Sequence, residues 1–279
     1  MNSSTPENLS KLWASITERL NAWDETWPAK VEALDQIGRV RDRRCGKIFN
    51  DEEIFEGVVK AVLSSATDWS RIQRLSPEEL KQLFGGFDVA WYSRLTETHI
   101  ATNFVPWFKS HKADSPYLKR NLNLLVGTAI KLVERKERHG NLEDYLSELL
   151  KLLNGDVIGV AKALGATTSA HKLDGVGIAI AAEALKNIGY DTGKPDIHIN
   201  RAFGSFGLQI FGNWPDRNVG TKAPKATDTE KLAVMRRLAQ FADHLKVEAT
   251  LVDNAIWLLC AKSGAYLSNN ELSNIRHDA

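Results

Sequence analysis

Cysteine and methionine are scarce, with only two of each in 279 residues. Two thiols, Cys45 and Cys260, are too few for a four-cysteine zinc or iron–sulfur site. A chain this long can bury a sizeable core without disulfides, so the plain expectation is a reducing, cytoplasmic setting. No apolar run approaches the roughly 20 residues that cross a bilayer. The opening MNSSTPENLSKLW lacks the charged-then-apolar layout of a secretory leader. Neither sign of charge dominates. A net charge of +1 speaks neither for nor against a nucleic-acid partner, and any phosphate-binding face must come from local clustering. Alternating β-branched runs are also missing, and CGKIF near Cys45 is the best candidate for a short hairpin element. No internal repeat or low-complexity tract occurs.

Apolar residues at three- and four-residue spacing are present instead, within the 43% hydrophobic and 25% charged balance of a soluble globular chain. This spacing predicts helices over Ser10–Trp23, Asp51–Ser64, Tyr117–His139, Leu142–Leu153, Asp156–Leu164, Ile178–Ile188, Asp228–Leu245 and Glu248–Ser263. SPEEL at Ser76 combines a capping serine, a proline at the first helical position and acids in the first turn. Asn213–Lys231 is the clearest loop. The fold class expected is all-α, in two helical lobes.

Two features bear on chemistry. In LDGVG, Gly175 and Gly177 flank Val176 immediately before the helix that starts at Ile178. Glycines there allow successive N–H groups to converge, and the helix N-terminus adds its unpaired amides and dipole, so the turn can seat a phosphate. It can equally be a tight helix–turn–helix packed on a core. Asp196 follows Gly177 by 19 residues, behind the turn YDTGKP and at the start of the helical stretch DIHINRAFGSFGL. It can be a catalytic carboxylate or simply an N-cap.

Taken together, LDGVGIAIAAEAL and GKPDIHINRAFG resemble the helix–hairpin–helix DNA glycosylase superfamily, the relatives of endonuclease III and 8-oxoguanine glycosylase. The signature there is an L-P-G-V-G hairpin followed, one helix later, by an aspartate in a V-D-x-H-like context. FEGVVKAVLSSATDW resembles the family segment FE-LV-AILSQQT, and NAIWLLCAKSG (Asn254–Gly264) its C-terminal helix. The similarity runs from about Asp51 to Gly264, with extra sequence at the N-terminus and between Phe104 and His139. It implies residues 1–50 as an extension packing on the core and 51–279 as the glycosylase domain, with a DNA-binding cleft between its two lobes.

The resemblance carries over residue by residue. Asp196 is then the catalytic carboxylate, which stabilises positive charge developing on the deoxyribose and activates water. Gly175, Val176, Gly177 and Ile178 form the phosphate seat, with His198 and Lys172 as further phosphate contacts. Ser65, Ala66, Trp69 and Trp257 line the base pocket or fill the gap left by a flipped nucleotide. Bifunctional relatives carry a nucleophilic lysine two positions after the second hairpin glycine; Ala179 stands there, which implies a monofunctional enzyme that leaves an abasic site. Lys172 and Lys186 are the nearby alternatives. The hairpin proline is replaced by Asp174, an acid beside the seat, and the paired glutamines by Ser65 and Ala66. No cofactor and no metal are implied. The expected partner is double-stranded DNA, bound by a monomer away from any membrane.

Arg39, Arg41, Arg43, Arg44 and Lys47 form a basic cluster that can meet DNA or be a solvated face, and Lys109, Lys112, Lys119 and Arg120 form a second. Lys131–Arg138 alternates in sign and reads as a surface helix. Substrates open to such a protein are lesions, as in repair, or a bulky modified base of phage DNA, as in defence. A non-catalytic helix–hairpin–helix module that recognises distorted or abasic DNA is the alternative.

Overall fold

The computed structural model describes residues 6–65, 69–208, 223 and 226–277. Among them the chain runs α1 (Pro6–Trp23), α2 (Trp27–Glu32), α3 (Gln36–Arg44), α4 (Asp51–Leu63), α5 (Trp69–Ile72), α6 (Pro77–Leu83), α7 (Val89–Tyr92), α8 (Glu97–His99), α9 (Val105–Ser110) and α10 (Leu118–His139). It continues through α11 (Leu142–Leu152), α12 (Val157–Gly165), α13 (Ile178–Asn187), α14 (Ile197–Ser205), α15 (Asp228–Leu245), α16 (Ala249–Cys260) and α17 (Asn269–His277). No strand occurs among the described residues, so the protein is all-α. Two compact units divide the chain: Asp42–Tyr190, and Met1–Arg41 with Asp191–Ala279.

In the unit Asp42–Tyr190, α4 and α13 lie against each other because Gly57 leaves room. A Cβ there would sit 2.6 Å from Ile188 Cγ2. Helix α4 starts where the sequence asks it to. The Asn50 side chain accepts from the Glu53 amide while Glu53 reaches back to the Asn50 amide, a reciprocal cap that satisfies two orphan donors. Phe55, Phe84, Tyr92 and Phe104 build an aromatic core with ring centroids 5.1 to 5.7 Å apart. The long α10 stops at Gly140, whose φ of 92° closes the helix.

In the other unit, α1 and α2 pack with α14 to α17 around Ile16, Leu20, Phe203, Leu238, Phe241 and Ile256. Thr227 and Glu230 form a second reciprocal cap at the start of α15.

Two local expectations need correction. CGKIF is not a hairpin strand: no residue pairs with it, Gly46 turns the chain at φ 92°, and Phe49 buries its ring ahead of the α4 cap. Helix α16 ends at Cys260 instead of Ser263, because the amides of Ala265 and Leu267 fold back onto the carbonyls of Leu258 and Leu259. Gly264 permits that return; a Cβ there would collide with the Leu258 carbonyl oxygen. Most of the expected loop Asn213–Lys231 lies outside the described residues, and its end already belongs to α15.

Candidate active site

Asp196 is the N-cap of α14. Its Oδ1 accepts from the amides of His198 at 2.8 Å and Ile199 at 3.1 Å. That uses one carboxylate oxygen; Oδ2 lies 3.9 Å from Lys194 Nζ. The side chain is 16% exposed, so the carboxylate combines the capping role with access from outside. The positive end of the helix dipole stabilises its charge.

The turn leading to Asp196 is bolted to the first turns of α16. Asp191 Oδ1 accepts from the Thr250 amide at 2.9 Å, and Asp253 Oδ1 accepts from the Lys194 amide at 2.9 Å. Gly193 lets the turn press on α15, since a Cβ there would lie 2.8 Å from Leu238 Cδ1. Two helices remote in sequence thus set where the carboxylate stands.

His198 is partly buried, with its ring edge-on to Trp257 at 6.4 Å. Burial lowers its pKa below 6.5, against the pull of Asp196 and with the help of the Arg201 and Lys194 charges. Trp257 is itself partly exposed on α16. Arg201 is 2% exposed and donates to the Cys260 carbonyl at 3.0 Å, a cation set against the carboxyl end of α16. The Cys260 thiol is fully buried and its pKa is pushed up to about 12 by burial, so it is inert.

The hairpin lies in the unit Asp42–Tyr190. Gly175 adopts φ 68°, a left-handed conformation that glycine accepts freely, and both Gly175 and Gly177 are exposed. Gly177 caps α13 with extended backbone and nothing within 4 Å of a would-be Cβ, whereas the Ile178 amide nitrogen abuts Gly165, where a Cβ would lie 2.5 Å from it. Val176 and Ile178 are buried, each 1% exposed, and anchor the turn in the core. Lys172 turns its ammonium back onto the Val176 carbonyl. Asp174 is paired with Lys131 Nζ at 2.5 Å, which offsets the acid beside the seat.

Ser65 is partly buried just after α4, and Trp69 is partly exposed at the start of α5. Ala66 lies outside the described residues. Ala179 occupies the first turn of α13, where its side chain is a methyl group.

The basic cluster Arg39–Lys47 is largely committed to acids. Arg39 pairs with Asp35, Arg41 with Glu32 and Glu248, and Lys47 with Asp42 and Glu53. Arg43 grips Glu143 and lies between the rings of Phe49 and Tyr190. Lys119 of the second cluster pairs with Glu97.

Sequence reasoning passed over three residues. Lys194 stands two positions before Asp196, a proximity that GKPD already contains. Ile197, directly after the carboxylate, is 64% exposed, which periodicity alone does not reveal. Lys131 was read as surface, and its partner lies 43 residues away.

Among the described residues no cluster of three or more His, Cys, Asp or Glu side chains could hold a metal ion, and no helix is long and apolar enough to cross a membrane. No family model and no curated protein matches the chain. Among solved structures, the Methanocaldococcus jannaschii 8-oxoguanine glycosylase/lyase, crystallised with 15mer DNA containing 8-oxoguanine, matches over 93% of this chain and 99% of its own, with a TM-score of 0.51 and 14% identity. At that identity the likeness is one of fold alone, an all-helical architecture that the two chains share.

Proposed function

We propose that the protein is a DNA base glycosylase that extrudes one nucleotide and hydrolyses its N-glycosidic bond. The observation that carries this reading is the Asp196 carboxylate, fixed through one oxygen at the head of α14 and accessible beside Lys194, in a chain sharing its fold with a DNA-bound glycosylase/lyase. The hairpin amides at Gly177 seat a backbone phosphate, and Asp196 faces the sugar.

As the C1′–N bond lengthens, its electron pair leaves with the base and positive charge gathers on the sugar. A nearby carboxylate stabilises that charge. Water then adds to C1′, its proton passes to Asp196, and an abasic site remains. Ala179 offers no amine at the position where bifunctional relatives hold one, which favours water over a covalent enzyme–sugar adduct. Trp257 in one unit and Trp69 in the other are the candidates for stacking on the extruded base, and the small residue types at positions 65 and 66 of the sequence suit a base larger than guanine or cytosine. The substrate is a lesion, 8-oxoguanine among them, or a bulky modified base of phage DNA.

The test is release of free bases from a panel of lesion-bearing and phage-modified duplexes, read by mass spectrometry, for the parent protein and for Asp196→Asn. Release by the parent and its loss in the variant support the proposal, and parental turnover by Asp196→Asn sinks the mechanism. Tight binding to abasic DNA with no release from any duplex selects a non-catalytic recognition module instead.

A further inference from the structure

Helix α10 lies in the segment that is extra relative to the glycosylase pattern, and one stripe of it is devoted to the hairpin. Leu124, Gly127, Thr128 and Lys131 stand at i, i+3, i+4 and i+7, a single helical face. Each meets the turn. A Cβ on Gly175 would lie 2.7 Å from Leu124 Cβ, and a Cβ on Gly127 would lie 2.5 Å from Asp174 Oδ2, so both glycines exist here to let the turn close down on the helix. Thr128 Oγ1 donates to the Asp174 carbonyl at 2.6 Å. Lys131 Nζ donates to Asp174 Oδ1 at 2.5 Å and to the Lys172 carbonyl at 3.1 Å, which ties both sides of the turn at once. One turn further along, Arg135 donates to the Ala170 carbonyl.

A phosphate seat made of backbone amides works only if those amides are already aimed, since ordering them on binding would subtract from affinity. Proline would supply part of that stiffness by fixing its own φ; aspartate does not. The stiffness is provided from outside. We propose that Lys131 is a positioning residue for DNA binding: by bridging Asp174 and the Lys172 carbonyl it holds the Gly175–Gly177 turn, and with it the first amides of α13, in the phosphate-binding geometry. The inference rests on the glycosylase reading of the hairpin. Lys131 acts through the turn and makes no phosphate contact of its own.

Fluorescence anisotropy of a labelled duplex containing an abasic-site analogue, over a salt series, tests this with Lys131→Met, Lys131→Arg and the double variant Lys131→Met/Asp174→Asn. Lys131→Met is expected to bind about tenfold more weakly at every salt concentration, the scale of a lost hydrogen bond to a charged group, with an unchanged slope of log affinity against log salt. Lys131→Arg retains parental affinity, and the double variant stays weak because the tie is still missing. Amide hydrogen exchange in Lys131→Met quickens at residues 172–178 and not in α15 or α16.

Three outcomes overturn the proposal. One is no loss of affinity. Another is a salt slope reduced by about one, the mark of a direct phosphate contact. The third is full recovery in the double variant, which would make Lys131 only a counter-charge. Should Lys131→Met fold poorly, Thr128→Val removes the other tie and is expected to act in the same direction. If the parent protein binds no duplex, the glycosylase reading fails, and hydrogen exchange alone then decides whether Lys131 braces the turn.

Discussion

Arg43 holds Glu143 through both of its terminal nitrogens, at 2.5 and 2.9 Å, across 100 residues of sequence. Its Nε donates to the Ile188 carbonyl at 2.9 Å, and its guanidinium plane lies 4.1 Å from the centroid of Tyr190. Every face of the cation is spoken for, which makes Arg43 a joint between α3, α11 and the end of α13 inside its unit. Replacing it by methionine leaves the Glu143 carboxylate buried and uncompensated, at an expected loss of about 3 kcal/mol in stability. Denaturant unfolding reads that loss directly. Adding Glu143→Gln should restore part of it, and the salt slope of DNA binding should not move in either variant.

The two hairpin glycines separate folding from binding. Gly175→Ala places a side chain at φ 68° and against Leu124, so a stability loss of about 2 kcal/mol is expected. Gly177 has φ −86° and open space around it, so Gly177→Ala should cost less than about 1 kcal/mol, the scale of a changed N-cap. If phosphate approaches there, the added methyl group nonetheless weakens duplex binding by about tenfold or more, since it stands where the backbone must come close. Paired thermal unfolding and anisotropy measurements decide. Parental affinity in Gly177→Ala would reduce the turn to packing.

Two partly buried imidazoles set a pH dependence of stability. His171 has its pKa lowered by burial and by the Arg135 and His139 charges, and His198 chiefly by burial. Below pH 6.5 the unfolded chain takes up protons that these folded sites resist. Stability is therefore full above about pH 6.5 and declines as pH falls from there through the lower folded values. Urea midpoints measured across that window should fall with pH. The fall should shrink in His171→Gln, which removes one of the two sites.

Ala179 makes a chemical prediction. Incubation with substrate duplex and borohydride should leave no covalent protein–DNA adduct, because trapping needs an imine formed by an active-site amine. A trapped band on a denaturing gel would contradict the water mechanism. Loss of that band in Lys194→Met would then name the amine, since Lys194 is 3.9 Å from the candidate carboxylate.

The features legible from sequence were local ones. The turn of LDGVG, the cap at Asp196 and the cap at Ser76 each depend on residues within a few positions, so spacing alone exposes them. Helix α10 was visible as a periodic run, but its hairpin-facing stripe was not, because Thr128 and Lys131 meet Asp174 only after the chain folds. Arg43 is hidden for the same reason. Of the five basic residues within nine positions, Arg41 and Arg43 meet Glu248 and Glu143 only after the chain folds, while Arg39 and Lys47 pair with acids nearby. The short helices α2, α5, α7, α8 and α9 carry too few turns for a periodic signal, and tertiary packing decides them. The chain around Asp196 was readable as a helix start, whereas its anchors Thr250 and Asp253 belong to a helix more than 50 residues later.

Gly127 sits in the middle of a 22-residue helix, where glycine is otherwise a poor choice, and its vacancy is filled by the Asp174 carboxylate. The two positions are therefore written as one word in separate places. A descendant that acquired proline at 174 would release 127 and 131 together, and one that lost the glycine first would be pushed off the aspartate. In sequences descended from this one, positions 127, 131 and 174 are expected to change as a set, with the chemistry proposed for Asp196 untouched by the exchange.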